Sequence, residues 1–123
     1  MRVLAILART DPVGVQRAAT ALAIFLRGRN WRGSTLTADG FPCEFTFGTA
    51  SAAVRYTVEV AASGPMARLA VSRRRLASIG AGSLPEDLAG RFAAILRDGP
   101  LRYGAWIGGR HARGADDRYK LYV

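Results

Sequence analysis

The sequence has few of the residues that build disulfides and metal sites. Cys43 is the one cysteine in 123 residues, so no internal disulfide can form and no Cys-x-x-Cys metal motif is present. This cysteine usage predicts a reducing, cytoplasmic setting. Histidine and lysine are equally scarce, since His111 and Lys120 are the only examples of each.

No hydrophobic run is long enough to form a membrane helix. The apolar stretch 1–8 is followed by Arg9 and Asp11, and no small-residue cleavage pattern comes after it. A membrane-spanning helix needs about 20 consecutive apolar residues. We therefore expect neither a signal peptide nor a membrane span, and no membrane partner.

Acidic residues are also in short supply. Nine of them stand against 17 arginines and one lysine, which leaves a net charge of +9. Such a balance favours an anionic partner, whether nucleic acid, a phosphate compound or an acidic surface. Half of the residues are apolar, enough for one modest core, so the chain 1–123 is predicted to form a single domain.

Residues 41–60 carry the clearest pattern, which is an alternation typical of two β-strands. Side chains alternate between the two faces of a strand, so each of these strands has an apolar face and a polar face. The apolar positions are Phe41, Cys43, Phe45 and Phe47, then Val54, Tyr56, Val58 and Val60. The polar positions include Glu44 and Thr46 on the first strand and Arg55, Thr57 and Glu59 on the second.

The rest of the chain predicts helices and a second strand pair. Residues 1–40 hold a helix that Thr10 or Asp11 can cap, followed by a turn-like lead-in. Residues 64–98 form a helix pair, and Ser83 with Glu86 matches a capping box at the start of its second helix. Residues 100–123 form the second strand pair, with a loop at 109–117 that carries His111. The predicted fold class is α+β, an antiparallel sheet with helices packed on its outer face in the order α-ββ-αα-ββ.

All four predicted strands carry polar groups on the face opposite their apolar one. The later pair adds Arg102 and Trp106 on one strand and Lys120 and Tyr122 on the other. One interpretation is an ordinary solvated face, because a half-buried antiparallel sheet turns its polar side to water. The alternative is a shared cavity, in which arginine forks, a lysine charge and a phenol hydroxyl suit a diphosphate. Glu59 is interpreted as a structural partner of Arg55 or of an arginine on a neighbouring strand.

Three motifs in this order resemble a known family. DGFPCEFTF, VRYTVEV and RYKLYV are similar to segments of the aromatic prenyltransferases of the dimethylallyltryptophan synthase type, particularly the bacterial members. The resemblance covers residues 39–60 and 100–123. It implies that Glu44 contacts an indole N–H, and that Arg55, Lys120 and Tyr122 bind diphosphate.

The resemblance also implies a fold and a reaction. The fold would be part of an ABBA barrel, with helices outside and the active site in the lumen. The reaction would transfer a dimethylallyl group from its diphosphate to an indole or tryptophan ring, with no metal and no other cofactor. Thr46, Thr57, Arg102 and Trp106 would lie in the pocket. His111 would be either a proton acceptor after alkylation or a plain surface residue.

The resemblance reaches only the N-terminal part of such a barrel. Four strands cannot enclose a ligand, because a barrel with even a small pocket takes about eight. We expect a fragment of a longer enzyme, a degenerate version, or a short form that associates with itself through open sheet edges. The chain alone is expected to be oligomeric and to have little or no transferase activity.

A basic α+β module that binds nucleic acid is the alternative function. It is favoured by the net charge and by Tyr56, Tyr103, Trp106 and Tyr122 among the arginines of the strands. A binding sheet should place aromatic and basic side chains on one exposed face. Tyr56 and Tyr103, however, fall on the opposite face from Arg55 and Arg102, which makes nucleic acid the less favoured partner.

Overall fold

A computed structural model describes residues 2–30, 32–48, 51–99 and 104–123. In chain order its elements are α1 (Arg2–Leu7), α2 (Pro12–Phe25), β1 (Cys43–Gly48), β2 (Ser51–Val58), α3 (Pro65–Ser78), α4 (Glu86–Asp98), β3 (Trp106–His111) and β4 (Arg118–Tyr122). The predicted order of helices and strand pairs is confirmed, with the short α1 added in front. None of the helices in these ranges has the length and apolar character needed to cross a bilayer.

The strands form one antiparallel sheet in the order β1-β2-β3-β4. The predicted α+β class with an antiparallel sheet is therefore confirmed. β1 and β4 are its edges, and Pro42 comes directly before the β1 edge, where a missing backbone donor is tolerated.

Helices cover one face of the sheet and leave the other without a helical layer. The stripe of α2 that faces the sheet, Ala18, Ala21, Leu22 and Phe25, packs on Val54, Tyr56, Val58 and Ile107 of the central strands. These are the positions that alternation had assigned to the apolar face. Full burial of a side chain such as Leu22 contributes roughly 1.5–3 kcal/mol, so this contact anchors the sheet. α3 and α4 form a second cluster through Leu69, Phe92 and Leu96.

Asp11 fixes the start of α2 and ties it to the sheet. Its Oδ1 accepts a hydrogen bond from the backbone N–H of Gly14 at 2.8 Å, as expected for an N-cap. Its Oδ2 accepts from the N–H of Arg113 at 3.1 Å, in the β3–β4 loop. The capping box predicted for α4 is wrong, because Pro85 precedes that helix and no side chain caps it. Glu86 instead pairs with Arg73 of α3 at 3.0 Å.

The third strand lies later in the chain than alternation indicates. A strand from residue 101 was expected, but β3 runs from Trp106 to His111, and residues 100–103 are outside the described ranges. Gly104 and Ala105 have φ angles of 93° and 38°, so the extended strand cannot include them. The loop predicted from residue 109 is also wrong, since β3 keeps its pairing with β2 as far as His111.

Candidate anion-binding site

A cavity of about 370 Å³ lies on the helix-free face of the sheet, and we call it the sheet cavity. Strands β2, β3 and β4 form most of it, and β1 adds one residue. Its lining residues are Thr46, Arg55, Tyr56, Thr57, Gly108, Gly109, Arg110, Arg118, Lys120 and Tyr122. The cavity is therefore built from the polar positions of all four strands and the backbone between them.

Cross-strand register arranges these residues in two rows. Residues paired across antiparallel strands share a face, so a chain of partners forms a row across the sheet. The first row runs from Thr46 through Arg55 and Arg110 to Arg118. The second row runs from Glu44 through Thr57 and Gly108 to Lys120.

Gly108 makes room for the phenol of Tyr122 in the cavity. A Cβ atom added at Gly108 would lie 2.8 Å from Cε2 of Tyr122 and 3.3 Å from its hydroxyl oxygen. The ring of Tyr122 thus packs against the backbone of Gly108, in the space that a side chain there would fill. Tyr122 is 45% exposed and lines the cavity, so it is accessible to a ligand there.

The sheet cavity holds four cations without acidic partners. Among the described residues, no carboxylate lies within 4.0 Å of Arg55, Arg110, Arg118 or Lys120, since none of them forms an ion pair. Several arginines elsewhere are engaged with protein groups instead. Arg75, for example, donates to the carbonyls of Phe25 and Arg27 at the end of α2, and Arg17 donates to that of Ala115 at 2.8 Å. What sets the sheet cavity apart is that four such cations lie together around one cavity.

Five of the residues predicted from sequence meet in this cavity: Thr46, Arg55, Thr57, Lys120 and Tyr122. Glu44 lies on the same face, exposed, and directly opposite Thr57 on the β1 edge, but it does not line the cavity. Its carboxylate is therefore placed at the margin of the site. Arg102, also predicted for the pocket, lies outside the described residues.

Trp106 belongs to a buried polar network rather than to the cavity lining. Its indole N–H donates to Oε2 of Glu59 at 2.9 Å. Thr35 donates to the same carboxylate through its hydroxyl at 2.6 Å, and Arg29 pairs with Oε1 at 2.8 Å. The structural partner of Glu59 is thus Arg29, which follows α2 and lies on no strand. The expected pairing with Arg55 or with an arginine on a neighbouring strand is wrong.

The ionisation of Glu59 follows from this network. Burial opposes its charge, but the hydrogen bonds from Thr35 and Trp106 and the charge of Arg68 outweigh that effect. They hold the pKa of Glu59 below its ordinary value. The network holds Arg29 and Thr35 against Glu59 at one end of the polar face and so bounds the site there.

His111 lies on the helix-covered side of the sheet, away from the cavity. It is 0% exposed, and its Nε2 is 2.9 Å from the hydroxyl of Tyr56. Oδ1 of Asp117 lies 2.9 Å from Nδ1, but off the direction of a well-formed hydrogen bond. Burial raises the pKa of Tyr56 far above its ordinary value, so its phenol stays neutral. Neither alternative for His111 fits this position, since it is neither a surface residue nor a cavity residue.

Arg110 and Arg118 are cavity residues that were not assigned to the site from the sequence. The alternation that puts Lys120 and Tyr122 on one strand face also puts Arg118 there, but no function was predicted for it. Arg110 was missed because it fell in the predicted loop from residue 109. The alternation of Trp106 and Gly108, continued by two residues, would have put Arg110 on the polar face.

A second cavity of about 400 Å³ lies between α2 and β4, on the other side of the sheet. Its charged residues, Arg17 and Asp117, are 3.7 Å apart and largely neutralise each other. This second cavity therefore lacks the excess of positive charge that the sheet cavity has. No cluster of three or more histidine, cysteine or acidic side chains that could hold a metal ion occurs in the part of the chain that the structure describes.

The site therefore combines a cavity on an open sheet face with four cations that pair with no carboxylate of the described residues. It also has the partly exposed Tyr122 and, at its margin, the carboxylate of Glu44. Comparisons of the chain with protein-family models, with curated proteins and with solved structures found no match.

Proposed function

We propose that the sheet cavity binds a diphosphate, and that the chain contributes this site to the transfer of an allylic group from its diphosphate to an aromatic ring. One observation carries the proposal. Arg55 on β2 and Lys120 and Tyr122 on β4, the three residues that the family resemblance implies as diphosphate ligands, line one cavity. Two separate strand pairs must fold together to bring them there.

The donor set suits a leaving diphosphate. Arginine offers paired N–H donors to phosphate oxygens, lysine offers a compact charge, and a tyrosine hydroxyl adds one donor. When the allylic C–O bond breaks, both bonding electrons go to the diphosphate and its negative charge increases. Donors that are already in place then stabilise the transition state more than the ground state.

Glu44 and Tyr122 would act on the other two reactants. The exposed ring face of Tyr122 can stabilise an allylic cation through a cation–π contact of roughly 0.5–2 kcal/mol. The carboxylate of Glu44, on the same sheet face, would accept a hydrogen bond from an indole N–H and orient the ring. Carbon–carbon bond formation then consumes the cation, and the ring transfers a proton to the released diphosphate, which restores its aromaticity.

The openness of the sheet limits what the chain does alone. With β1 and β4 as free edges, one side of the cavity faces solvent. An allylic cation formed there would meet water before it met an aromatic ring. The proposal therefore assigns diphosphate binding to this chain, and alkylation to a larger assembly that closes the cavity.

Isothermal titration calorimetry with inorganic pyrophosphate and with dimethylallyl diphosphate tests the proposal. Arg55→Gln and Lys120→Gln should each weaken binding by about tenfold or more, because a hydrogen bond to a charged group contributes about 1.5–3 kcal/mol. Arg91→Gln on α4 is the matched control, since Arg91 is exposed and carries the same charge away from the cavity. Equal effects of all three variants, or no binding by the parent chain, would contradict the proposal.

Binding of single-stranded nucleic acid is the second candidate. It is favoured by the four cations on an open sheet face beside the exposed ring of Tyr122. Tyr56 argues against it, because that ring is 3% exposed and packs in the core instead of offering a stacking surface. A single-stranded oligonucleotide titrated in the same buffer separates the two candidates. Tighter and more salt-sensitive binding than that of pyrophosphate would favour the nucleic acid.

A further inference from the structure

Three arginines lie directly opposite one another on adjacent strands. Arg55 of β2 pairs in register with Arg110 of β3, which pairs with Arg118 of β4. We call this set the arginine row. Neighbouring strands are about 4.8 Å apart, so the backbone positions of the row span only about 10 Å.

Like charges placed directly opposite each other in a sheet destabilise it. If the three arginines served only to stabilise the fold, carboxylates would be needed between them. None of the described acidic side chains pairs with the row. Arg29 differs from these three arginines, because it is paired with Glu59 at 2.8 Å. The row therefore carries a repulsion that the described protein groups do not relieve.

Arg110 is the residue on which this repulsion centres. It sits on an interior strand with an arginine on each side, and it is only partly exposed. Arg55 has an alternative direction, since its Nη1 lies 3.4 Å from the point where a Cβ of Gly48 would be, towards the β1 edge. Arg110, by contrast, has an arginine on each neighbouring strand. Its side chain cannot turn away from one positive charge without approaching another.

We infer that Arg110 is a phosphate ligand, and that the arginine row binds a polyanion with at least two phosphoryl groups. This inference deepens the proposed function and rests on it. A diphosphate places several negative oxygens within reach of adjacent arginines and so replaces repulsion with shared attraction. The row reduces the stability of the empty protein and increases its affinity for the polyanion.

The inference predicts opposite effects of one substitution on stability and on binding. In low-salt buffer without anion, Arg110→Gln should raise the Tm by roughly 1–4 °C, because it removes two like-charge contacts. The same variant should bind inorganic pyrophosphate about tenfold or more weakly than the parent chain, since a charge-assisted contact is lost. Arg110→Lys should keep the low stability and lose part of the affinity, because it retains the charge without the fork.

Thermal unfolding and calorimetry of the same samples measure both effects, with Arg91→Gln as the control for net charge. Arg110→Gln that binds pyrophosphate as tightly as the parent overturns the inference and leaves the proposed function standing. A lower Tm or failure to fold without anion also overturns it. A parent chain that does not bind pyrophosphate contradicts the proposed function, whereas a higher Tm for Arg110→Gln would still establish the repulsion within the row.

Discussion

At the residue scale, two adjacent glycines act on opposite faces of β3. Gly108 lies under the ring of Tyr122 on the open face, and Gly109 lies under the ring of Tyr56 on the helix-covered face. A Cβ at Gly109 would come within 2.3 Å of Cζ of Tyr56, closer than the contact that a Cβ at Gly108 would make with Tyr122. Because a glycine has no side chain, each of the two leaves space for an aromatic ring from a neighbouring strand.

Substitution of one glycine should mainly reduce stability, and substitution of the other should mainly reduce binding. Gly109→Ala should destabilise the fold by about 2 kcal/mol or more, because Tyr56 is buried and bonded to His111 and cannot move aside. Gly108→Ala should change stability by less than about 1 kcal/mol, since the half-exposed Tyr122 can rotate away. It should nevertheless weaken pyrophosphate binding. Urea unfolding and calorimetry of both variants check this, and equal destabilisation by the two would contradict it.

We expect Glu59 to make a pH-dependent contribution to the free energy of unfolding. Glu59→Gln should lower the free energy of unfolding at pH 7 by about 3 kcal/mol, because it leaves the buried Arg29 without its charge partner. The pKa of Glu59 is lowered in the folded state, so its contribution is present above the ordinary value near 4.5 and is lost as the pH falls through the folded value. The difference between parent and variant should therefore shrink in acid.

Denaturant titrations from pH 7 down to pH 3 measure that difference directly. Trp106→Phe is the control, because it removes one donor to Glu59 and keeps the Arg29 pair. It should cost about 1.5 kcal/mol at pH 7, the lower range for a hydrogen bond to a charged group. A difference for Glu59→Gln that stays constant with pH would show that the carboxylate charge does not stabilise the fold.

At the element scale, β1 is the least protected strand of the sheet. It pairs only with β2, and Phe47 near its end is 66% exposed. Phe41, just before the strand, is 48% exposed, so the apolar face predicted for β1 is covered at Phe45 but not at either end. An exposed edge with unpaired backbone groups and apolar side chains pairs readily with another chain.

We therefore expect the chain to associate with itself through the β1 edge. Light scattering at micromolar concentration should report a mass above that of a monomer, and Phe47→Lys should shift the mass towards the monomer by placing a charge at the edge. Ile6→Lys on α1 is the matched control, because Ile6 is 68% exposed but lies on a helix. A monomeric parent, or an equal shift with both variants, would rule out association through β1.

At the scale of the whole molecule, the sheet has its helices on one side and its cations on the other. Arg17 of α2 and Arg75 of α3 donate to backbone carbonyls and so contribute to the fold. Four of the 18 cationic residues line the sheet cavity on the open face. None of these four pairs with a carboxylate of the described residues.

The same architecture predicts binding without turnover. The purified chain, incubated with dimethylallyl diphosphate and tryptophan, should give no prenylated product by liquid chromatography and mass spectrometry, although it binds the diphosphate. The physical reason is the solvent-open cavity, in which water competes with the aromatic ring for the allylic cation. Robust prenylation by a monomeric chain would contradict this.

Much of the fold could be predicted because local patterns agreed with it. Alternation at 41–60 assigned the apolar side chains of β2 to the core, and the Asp11-Pro12 pair marked the start of α2. The errors have physical causes in longer-range contacts. β3 extends to His111 because a buried bond to Tyr56 supports it, and Glu86 is drawn to Arg73 of another helix.

The sequence by itself determined which side chains share a strand face, because that follows from the period of two, and it determined the excess of positive charge. Only the tertiary structure decided which cations are neighbours. Cross-strand register depends on the packing of α2 against the central strands and on pairing between segments more than 50 residues apart, such as Arg55 and Arg110. That register places Arg110 between two other arginines and collects the polar positions of separate strand pairs into one cavity.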